Sequence, residues 1–272
     1  MVRTFFLGAA AVLASGAGLA QERPETDGWS VTVGAGSLYS PTYEGDDDYS
    51  LSLLPNVQLK YGDRFFASVQ EGVGYNFVNR ENLQAGPIAR VRFSRDEDGD
   101  QTFAVSGGRT NDLLGLGDVD TSIELGGFAE YEIGGVKIGA EVRQAVSGHD
   151  GLMADFDARW SGMVTTFGPP LIWSAGPRVR LTDDKYTSAY FGVTPAQAIA
   201  SGLPQYQAGG GLYSYGVGGA AFLPLSRDGA WSAVFLAGYD KLSGDAADAP
   251  LVQLRGDEDQ ATIGVFISYT FQ

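Results

Sequence analysis

The 272-residue sequence contains no cysteine, so disulfides cannot hold it together and its stability must come from elsewhere. Cations are scarce: 18 Lys and Arg stand against 33 Asp and Glu, a formal charge of −15. That balance argues against nucleic acid as a partner, because the phosphates would be repelled, though it says little about fold. Beyond the first twenty residues there is no run of about 18 apolar residues, which excludes helical membrane spans. There is also no internal repeat, no low-complexity tract and no linker to a second domain.

What is present begins with a leader pattern. Arg3 gives a positive start, Phe5 to Leu13 a short apolar stretch, and Gly18-Leu19-Ala20 a small-x-small cleavage site. The apolar stretch is too short to span a bilayer as a helix. The expected division is therefore a signal peptide over 1–20 and one domain over 21–272, whose charge becomes −16 once Arg3 is removed with the leader. Glycine is abundant at 39 residues, beside 13 Tyr, 15 Phe and 4 Trp. With alternating patterns, that mixture suits a barrel wall whose aromatics gather at two membrane interfaces.

The alternation is persistent. Between Ala261 and Phe271 the odd positions, among them Ile263, Val265, Ile267 and Tyr269, form an apolar face against Thr262, Gly264, Ser268 and Thr270. Val136, Ile138, Ala140 and Val142 alternate with Lys137, Gly139, Glu141 and Arg143. Leu51, Leu53, Pro55 and Val57 alternate with Ser52, Leu54, Asn56 and Gln58. A soluble β-sandwich also alternates. Three features favour a membrane barrel: long segments, aromatics near segment ends (Trp29, Tyr61, Phe77, Tyr131, Trp173, Tyr269), and connections that alternate between short and long. Short turns fall at Gly62-Asp63, Gly134-Gly135, Pro169-Pro170 and Asp228-Gly229, and long polar loops around 42–48, 111–120, 183–208 and 243–259. The spacing predicts an all-β protein, a closed antiparallel transmembrane β-barrel of about twelve strands. These are 28–39, 49–61, 64–78, 82–95, 102–109, 121–133, 136–147, 152–166, 171–182, 210–225, 230–242 and 260–271. The strand 102–109 is short, and without it the count falls to ten. An even count puts both termini in the periplasm and the long loops outside.

Several stretches resemble the MipA/OmpV family of outer-membrane proteins over nearly the whole mature chain. They are Pro41-Thr42-Tyr43-Glu44-Gly45, Leu54-Pro55, Gly72-Val73-Gly74-Tyr75, Tyr190-Phe191-Gly192-Val193, Ser201-Gly202-Leu203-Pro204-Gln205-Tyr206, Gly209-Gly210-Gly211-Leu212, and Gly244 through Val252. Ala249 stands where the resemblance leads one to expect serine, and Gln272 follows the terminal aromatic Phe271. The resemblance implies residence in the outer membrane of a Gram-negative bacterium, among lipid and lipopolysaccharide. For the name-giving branch it implies a scaffold joining a murein-cutting lytic transglycosylase to a murein synthase. It brings no catalytic residues, and fold analogy alone does not settle function.

Five stretches carry residues with candidate chemistry. Ser147-Gly148-His149-Asp150 holds the one histidine, but side-by-side residues in a tight turn seldom give triad geometry, so a polar loop is expected. Glu44 with Asp46-Asp47-Asp48, and Asp96-Glu97-Asp98-Gly99-Asp100, are acidic loops; the first could hold divalent ions, and the second lacks the closing Glu of a calcium loop. Gly209-Gly210-Gly211 opens a strand, not a helix, and so is no phosphate loop. Within 183–208, Thr194 and Pro195 cap and start a short helix ending before Gly202, which either plugs the barrel mouth or forms a compact surface loop.

No enzyme activity, cofactor or metal is expected. The candidate site is instead a lumen charge network. Alternation sends Glu124, Glu130 and Glu132 inward from one strand and Lys137, Glu141 and Arg143 from the next. Asp155, Asp157 and Arg159 follow from the third, and Arg178 and Arg180 from the fourth. A two-residue turn at Gly134-Gly135 sets Glu132 opposite Lys137, and the arginines can fork onto the Asp pair. Twelve strands enclose less space than the roughly 16–18 of an open porin. A filled, paired lumen points to a scaffold; an open polar slot beside the charges points to a narrow channel for small solutes.

Overall fold

A strand with one apolar and one polar face cannot end at an open edge in lipid, where unpaired backbone groups find no water. Here the sheet closes on itself. The structure, a computed structural model, describes residues 28–99, 101, 103–107, 110–166 and 168–271; the expected leader lies outside them. The strands are β1 (Trp29–Pro41), β2 (Tyr49–Tyr61), β3 (Phe65–Ser68), β4 (Gly72–Tyr75), β5 (Val78–Arg80), β6 (Leu83–Arg92), β7 (Ala104–Ser106), β8 (Ser122–Ile133), β9 (Val136–Ala145), β10 (Leu152–Val164), β11 (Leu171–Thr182), β12 (Gly211–Pro224), β13 (Trp231–Leu242) and β14 (Asp259–Phe271). The ring runs β1-β2-β3-β4-β6-β8-β9-β10-β11-β12-β13-β14 and returns to β1, all antiparallel. It is a closed barrel of 12 strands.

The count of twelve is reached differently from the expected list. The segment 64–78 is a hairpin, not one strand: β3 turns at Val69–Glu71 into β4, with Gly72 at φ +81°. β5 continues β4 downward after a bulge: Gly74 pairs with Ile88 and Val78 with Ala85, leaving one extra residue on the β4–β5 side. The bulged chain leans over Gly86, where a Cβ would lie 1.7 Å from the Tyr75 carbonyl oxygen. The segment 102–109 supplies no wall strand. Its three-residue β7 lies beside the upper part of β2, opposite Leu51 and Ser52, because β3 covers only Gln58–Tyr61. Between those two partners sits Pro55, which has no N–H to leave unpaired. Its carbonyl accepts from Gln70 Nε2 at 3.3 Å.

The two faces separate cleanly. Leu53, Val57, Ile138, Val142, Ile263 and Ile267 point outward and are exposed. Leu51 and Val265 share that face, half-buried. Arg90, Glu124, Arg143, Arg178 and Arg180 alternate with them and are buried in the lumen. Aromatics mark both rims. Trp29 meets Tyr61 at 5.0 Å and Trp231 meets Tyr269 at 5.2 Å beside the short turns, while Tyr39 stacks on Tyr49 at 5.1 Å beside the long loops. At the Gly134-Gly135 turn both residues have positive φ (+59° and +80°), the conformation a two-residue hairpin of matching twist demands.

The long loops do not dangle. They fold into a dome over one mouth, built around α1 (Asp184–Phe191), α2 (Pro195–Ser201), α3 (Gly244–Ala247) and α4 (Pro250–Arg255). Asp183 caps α1 by accepting from the Tyr186 N–H at 2.9 Å. Thr194 and Gln197 form a capping box on α2, Pro195 starts it, and Gly202 ends it at φ +77°. Tyr43, Leu113, Tyr186, Phe191, Leu251 and Val252, drawn from four loops, form one buried core, seated on Met153, Tyr213 and Leu242 of the wall. Each such buried side chain contributes about 1.5–3 kcal/mol. The segment 183–208 is thus part of a packed cap over the mouth.

Val265 sits mid-strand on the lipid face. Val265→Arg is expected to cost about 2–4 kcal/mol of folding free energy in a bilayer, measured by denaturant titration in lipid vesicles. A cost near zero would place this face away from lipid.

Candidate functional site

Beneath the dome, six side chains of alternating charge close into a ring. Arg143 Nε donates to Glu124 Oε2 at 2.8 Å, and Arg92 Nε donates to Glu124 Oε1 at 2.8 Å. Arg92 lies 3.8 Å from Glu44, and Arg180 Nη1 is 3.4 Å from the same carboxylate. Arg180 Nε reaches Asp155 at 2.7 Å, and Asp155 returns to Arg143 at 2.8 Å. Five neighbouring wall strands (β6, β8, β9, β10 and β11) supply five members. The sixth, Glu44, arrives from the β1–β2 loop. Its second oxygen accepts from Tyr213 at 2.6 Å and from Tyr186 of α1 at 3.2 Å. The dome is therefore tied to the lumen charges through one carboxylate.

The network continues from the ring. Glu141 bonds Arg143 and takes Arg90 at 2.7 Å. Lower in the lumen Arg159 holds Asp157 at 2.6 Å and also Glu130. Lys137 lies 3.6 Å from Glu130. Over Gly216 of the intervening β12, Arg178 of β11 forks onto Asp240 of β13, with Nε to Oδ1 at 2.7 Å. Seven cations (Arg90, Arg92, Lys137, Arg143, Arg159, Arg178, Arg180) thus face seven carboxylates (Glu44, Glu124, Glu130, Glu141, Asp155, Asp157, Asp240), so the network is neutral in a chain of net charge −15. On the other side of the lumen Leu38, Leu54, Ala220, Leu236 and Phe266 pack together, with Phe93 and Phe103 against them, beside the hydrogen-bonded pairs Asn56–Ser268 and Thr32–Thr270.

The expected site residues meet different partners in places. Glu132 stands opposite Lys137 in register, but the ammonium leans inward to Glu130, and Glu132 is exposed at the rim. A forked arginine contact falls on Asp240, while Asp155 takes Arg143 and Arg180 and Asp157 takes Arg159. Sequence reasoning missed Glu44, Arg90, Arg92 and Asp240. Glu44 lies in a loop, where period-two reasoning has no force, and was read only as part of an acidic run.

The Ser147-Gly148-His149-Asp150 turn is more built than a polar loop. His149 is buried; its Nδ1 accepts from the Gly151 N–H at 3.0 Å, which leaves the proton on Nε2, 3.3 Å from Glu124. Its ring meets Tyr186 edge-on at 4.9 Å. Ser147 accepts the Ile123 N–H instead of meeting the imidazole. The acidic runs also disperse. Glu44 joins the ring, Asp46 is wholly buried, and Asp47 and Asp48 are exposed. Glu97 accepts the Gly115 and Gly117 amides, both at 3.0 Å, while Asp100 lies outside the described residues. Among the described residues no three metal-ligating side chains gather at one point. In the dome, burial raises the Tyr190 phenol to about 12 and lowers Arg95, whose guanidinium donates to the Tyr190 carbonyl.

A closed antiparallel barrel with an apolar exterior, aromatic rims and buried lumen charges defines an outer-membrane protein. The chain belongs to the family of the MltA-interacting protein MipA, which matches residues 33–271. It resides in the outer membrane. Of the stretches that carried the resemblance, 41–45, 190–193, 201–206 and 244–252 lie at the dome, while Leu54-Pro55 and Gly72–Tyr75 lie in wall strands β2 and β4. Among solved structures, the COG4313 outer membrane channel from Pseudomonas putida F1 is similar at 12% identity, with 93% of this chain and 98% of that chain covered and a TM-score of 0.44. OprD from Pseudomonas aeruginosa follows at 10% identity, 94% and 72% coverage and a TM-score of 0.37. No curated protein matches the chain.

Arg143 touches three carboxylates from inside the wall. Arg143→Met leaves them short of a buried cation and is expected to cost about 3–5 kcal/mol. Lys137→Met, at the half-exposed end, is expected to cost under about 1 kcal/mol. Unfolding titrations in vesicles should separate the two, and equal costs would contradict the ring's place as the buried centre of the network.

Proposed function

We propose that this protein is a closed, non-conducting scaffold barrel that presents its periplasmic rim to murein-remodelling enzymes. The observation that carries the reading is the paired lumen beneath a packed cap. A neutral ion-paired network lines one side, an apolar cluster packs on the other, and the dome lies over the mouth. Burying so many charges only to stabilise the fold would gain little over apolar packing. What the network adds is rigidity and a single register, which suit a platform better than a pore. Family membership supports the same reading, since the family takes its name from interaction with MltA. The partners are then a lytic transglycosylase and, through the scaffold, a murein synthase, with lipopolysaccharide around the dome. Docking falls to the short turns around 62–64, 134–135 and 225–230, which face the periplasm clear of the dome.

Reconstituted into a planar bilayer at pH 6, the protein is expected to pass no steady current. Sustained open-channel steps would replace the scaffold with a narrow solute channel. Purified from envelopes, it is expected to bring down a lytic transglycosylase. Repeated recovery without one, under conditions that preserve the barrel, would remove the scaffold reading.

A further inference from the structure

One carboxylate in the dome has no counterpart to its charge. Asp46 is wholly buried, and Oδ2 has no hydrogen-bond partner. Oδ1 accepts only the Asp48 N–H, at 3.3 Å. No cation lies within ion-pair reach of it among the described residues. The residue sits where two loops are stitched together. Asp46 bridges Gly256, the Asp257 N–H donates to the Gly45 carbonyl at 3.0 Å, and Gln260 both accepts from the Gly45 N–H at 3.0 Å and donates to the Asp46 carbonyl at 3.2 Å. Tyr43, next in the same loop, donates to the Arg255 carbonyl at 3.3 Å.

The charged groups around this seam do not help an ionised Asp46. From its own loop come Tyr43, Asp47 and Asp48, and from the β6–β8 connection comes Asp112, whose charge also opposes ionisation. Arg95, from that same connection, donates to the Tyr190 carbonyl. In the β13–β14 loop, the Arg255 guanidinium is committed to the Asp112 and Ser201 carbonyls, and the Asp257 carboxylate accepts the Asp259 N–H at 2.9 Å. Glu44 is held by the ring.

We infer that Asp46 is a proton-operated latch that fastens the 42–48 loop to the 243–258 loop and loosens the dome when it ionises. An anion without a cation cannot remain in such surroundings, so losing the proton must expel the carboxylate and break the seam. Burial, the largest cause, together with the neighbouring carboxylates, raises Asp46 to about 7 in the closed dome, against an ordinary 3.8. The closed dome therefore holds a proton that the open loop has already lost. Its advantage is complete below about pH 4 and falls by up to about tenfold per pH unit until about pH 7. Closure is favoured in acid and weakened in mild alkali. The inference does not rest on the scaffold reading, because it concerns the dome alone.

The test is backbone hydrogen exchange on the full chain in vesicles, from pH 5 to 9. Exchange in the 42–48 and 243–258 peptides is divided by that in β13 and β14, so that intrinsic pH effects cancel. In the native chain the loop-to-strand ratio is expected to rise tenfold or more, with its midpoint near pH 7. Asp46→Asn should flatten the profile, whatever its absolute level. Asp112→Asn, which keeps the latch and removes an opposing charge, should move the midpoint to lower pH, while exposed Asp47→Asn should keep the rise. A flat ratio in the native chain, or the same rise in Asp46→Asn, overturns the latch. Neither result would touch the conductance and co-purification outcomes that decide the scaffold.

Discussion

A charge buried inside a barrel has to be satisfied by another charge at hydrogen-bonding distance, and in this barrel that demand is met by a closed circuit. Within it Arg143, Glu124, Arg92, Glu44, Arg180 and Asp155 each face at least two opposite charges. Four of its six bonds require particular residues of adjacent strands to lie side by side, so register and circuit depend on each other. A one-residue slip would send every one of these side chains of the slipped strand into lipid. The dome depends on the same circuit, because Glu44 belongs to a loop and takes hydroxyl bonds from Tyr186 and Tyr213. Barrel and cap are therefore one mechanical unit.

The lumen divides the work between two kinds of interaction. On the β6–β11 side, direction matters: guanidinium planes match carboxylates. On the side of β12, β13, β14, β1 and β2, packing matters more: Phe266, Leu236, Leu38 and Leu54 form one apolar cluster. The apolar side lowers the local dielectric felt by the charged side, which strengthens good pairs and penalises broken ones. The chain's excess of acid is left to groups outside the balanced network, such as Asp47 and Asp48 at the dome surface and Glu132 at the periplasmic rim.

Much of the wall was legible because strand periodicity is local. The inward positions of Glu124, Arg143, Asp155 and Arg180 follow from counting by two. The hairpin at 65–75 was not legible, because its turn at Val69-Gln70-Glu71 carries no turn signal beyond Gly72, and its combined length mimics one span. Pairing was also hidden. Counting places Glu132 across from Lys137, but at the exposed rim the carboxylate is solvated and the lysine leans toward Glu130. Glu44 could not be found by periodicity, since loop geometry set its direction. The helix α1 was missed although Asp183 caps it and Tyr186 and Tyr190 repeat at helical spacing. Its weak helix formers conceal a segment stabilised chiefly by packing.

The position of Glu44 in the circuit bears on how the protein is made. Its contact with Arg180 joins residues 136 apart in the chain, and the other circuit members come from the intervening strands. Long-range contacts of this kind form only after the ends of the enclosed chain have met, at an entropic cost that slows folding. The circuit therefore cannot close while the wall is partial. Strands β6 to β11 can align by nearest-neighbour pairing, but their buried charges stay unbalanced until the β1–β2 loop swings over and the mouth is covered. Insertion and capping then become a single late, cooperative event, and a half-assembled barrel carries an open, charged flank that any assembly machinery could sense as unfinished.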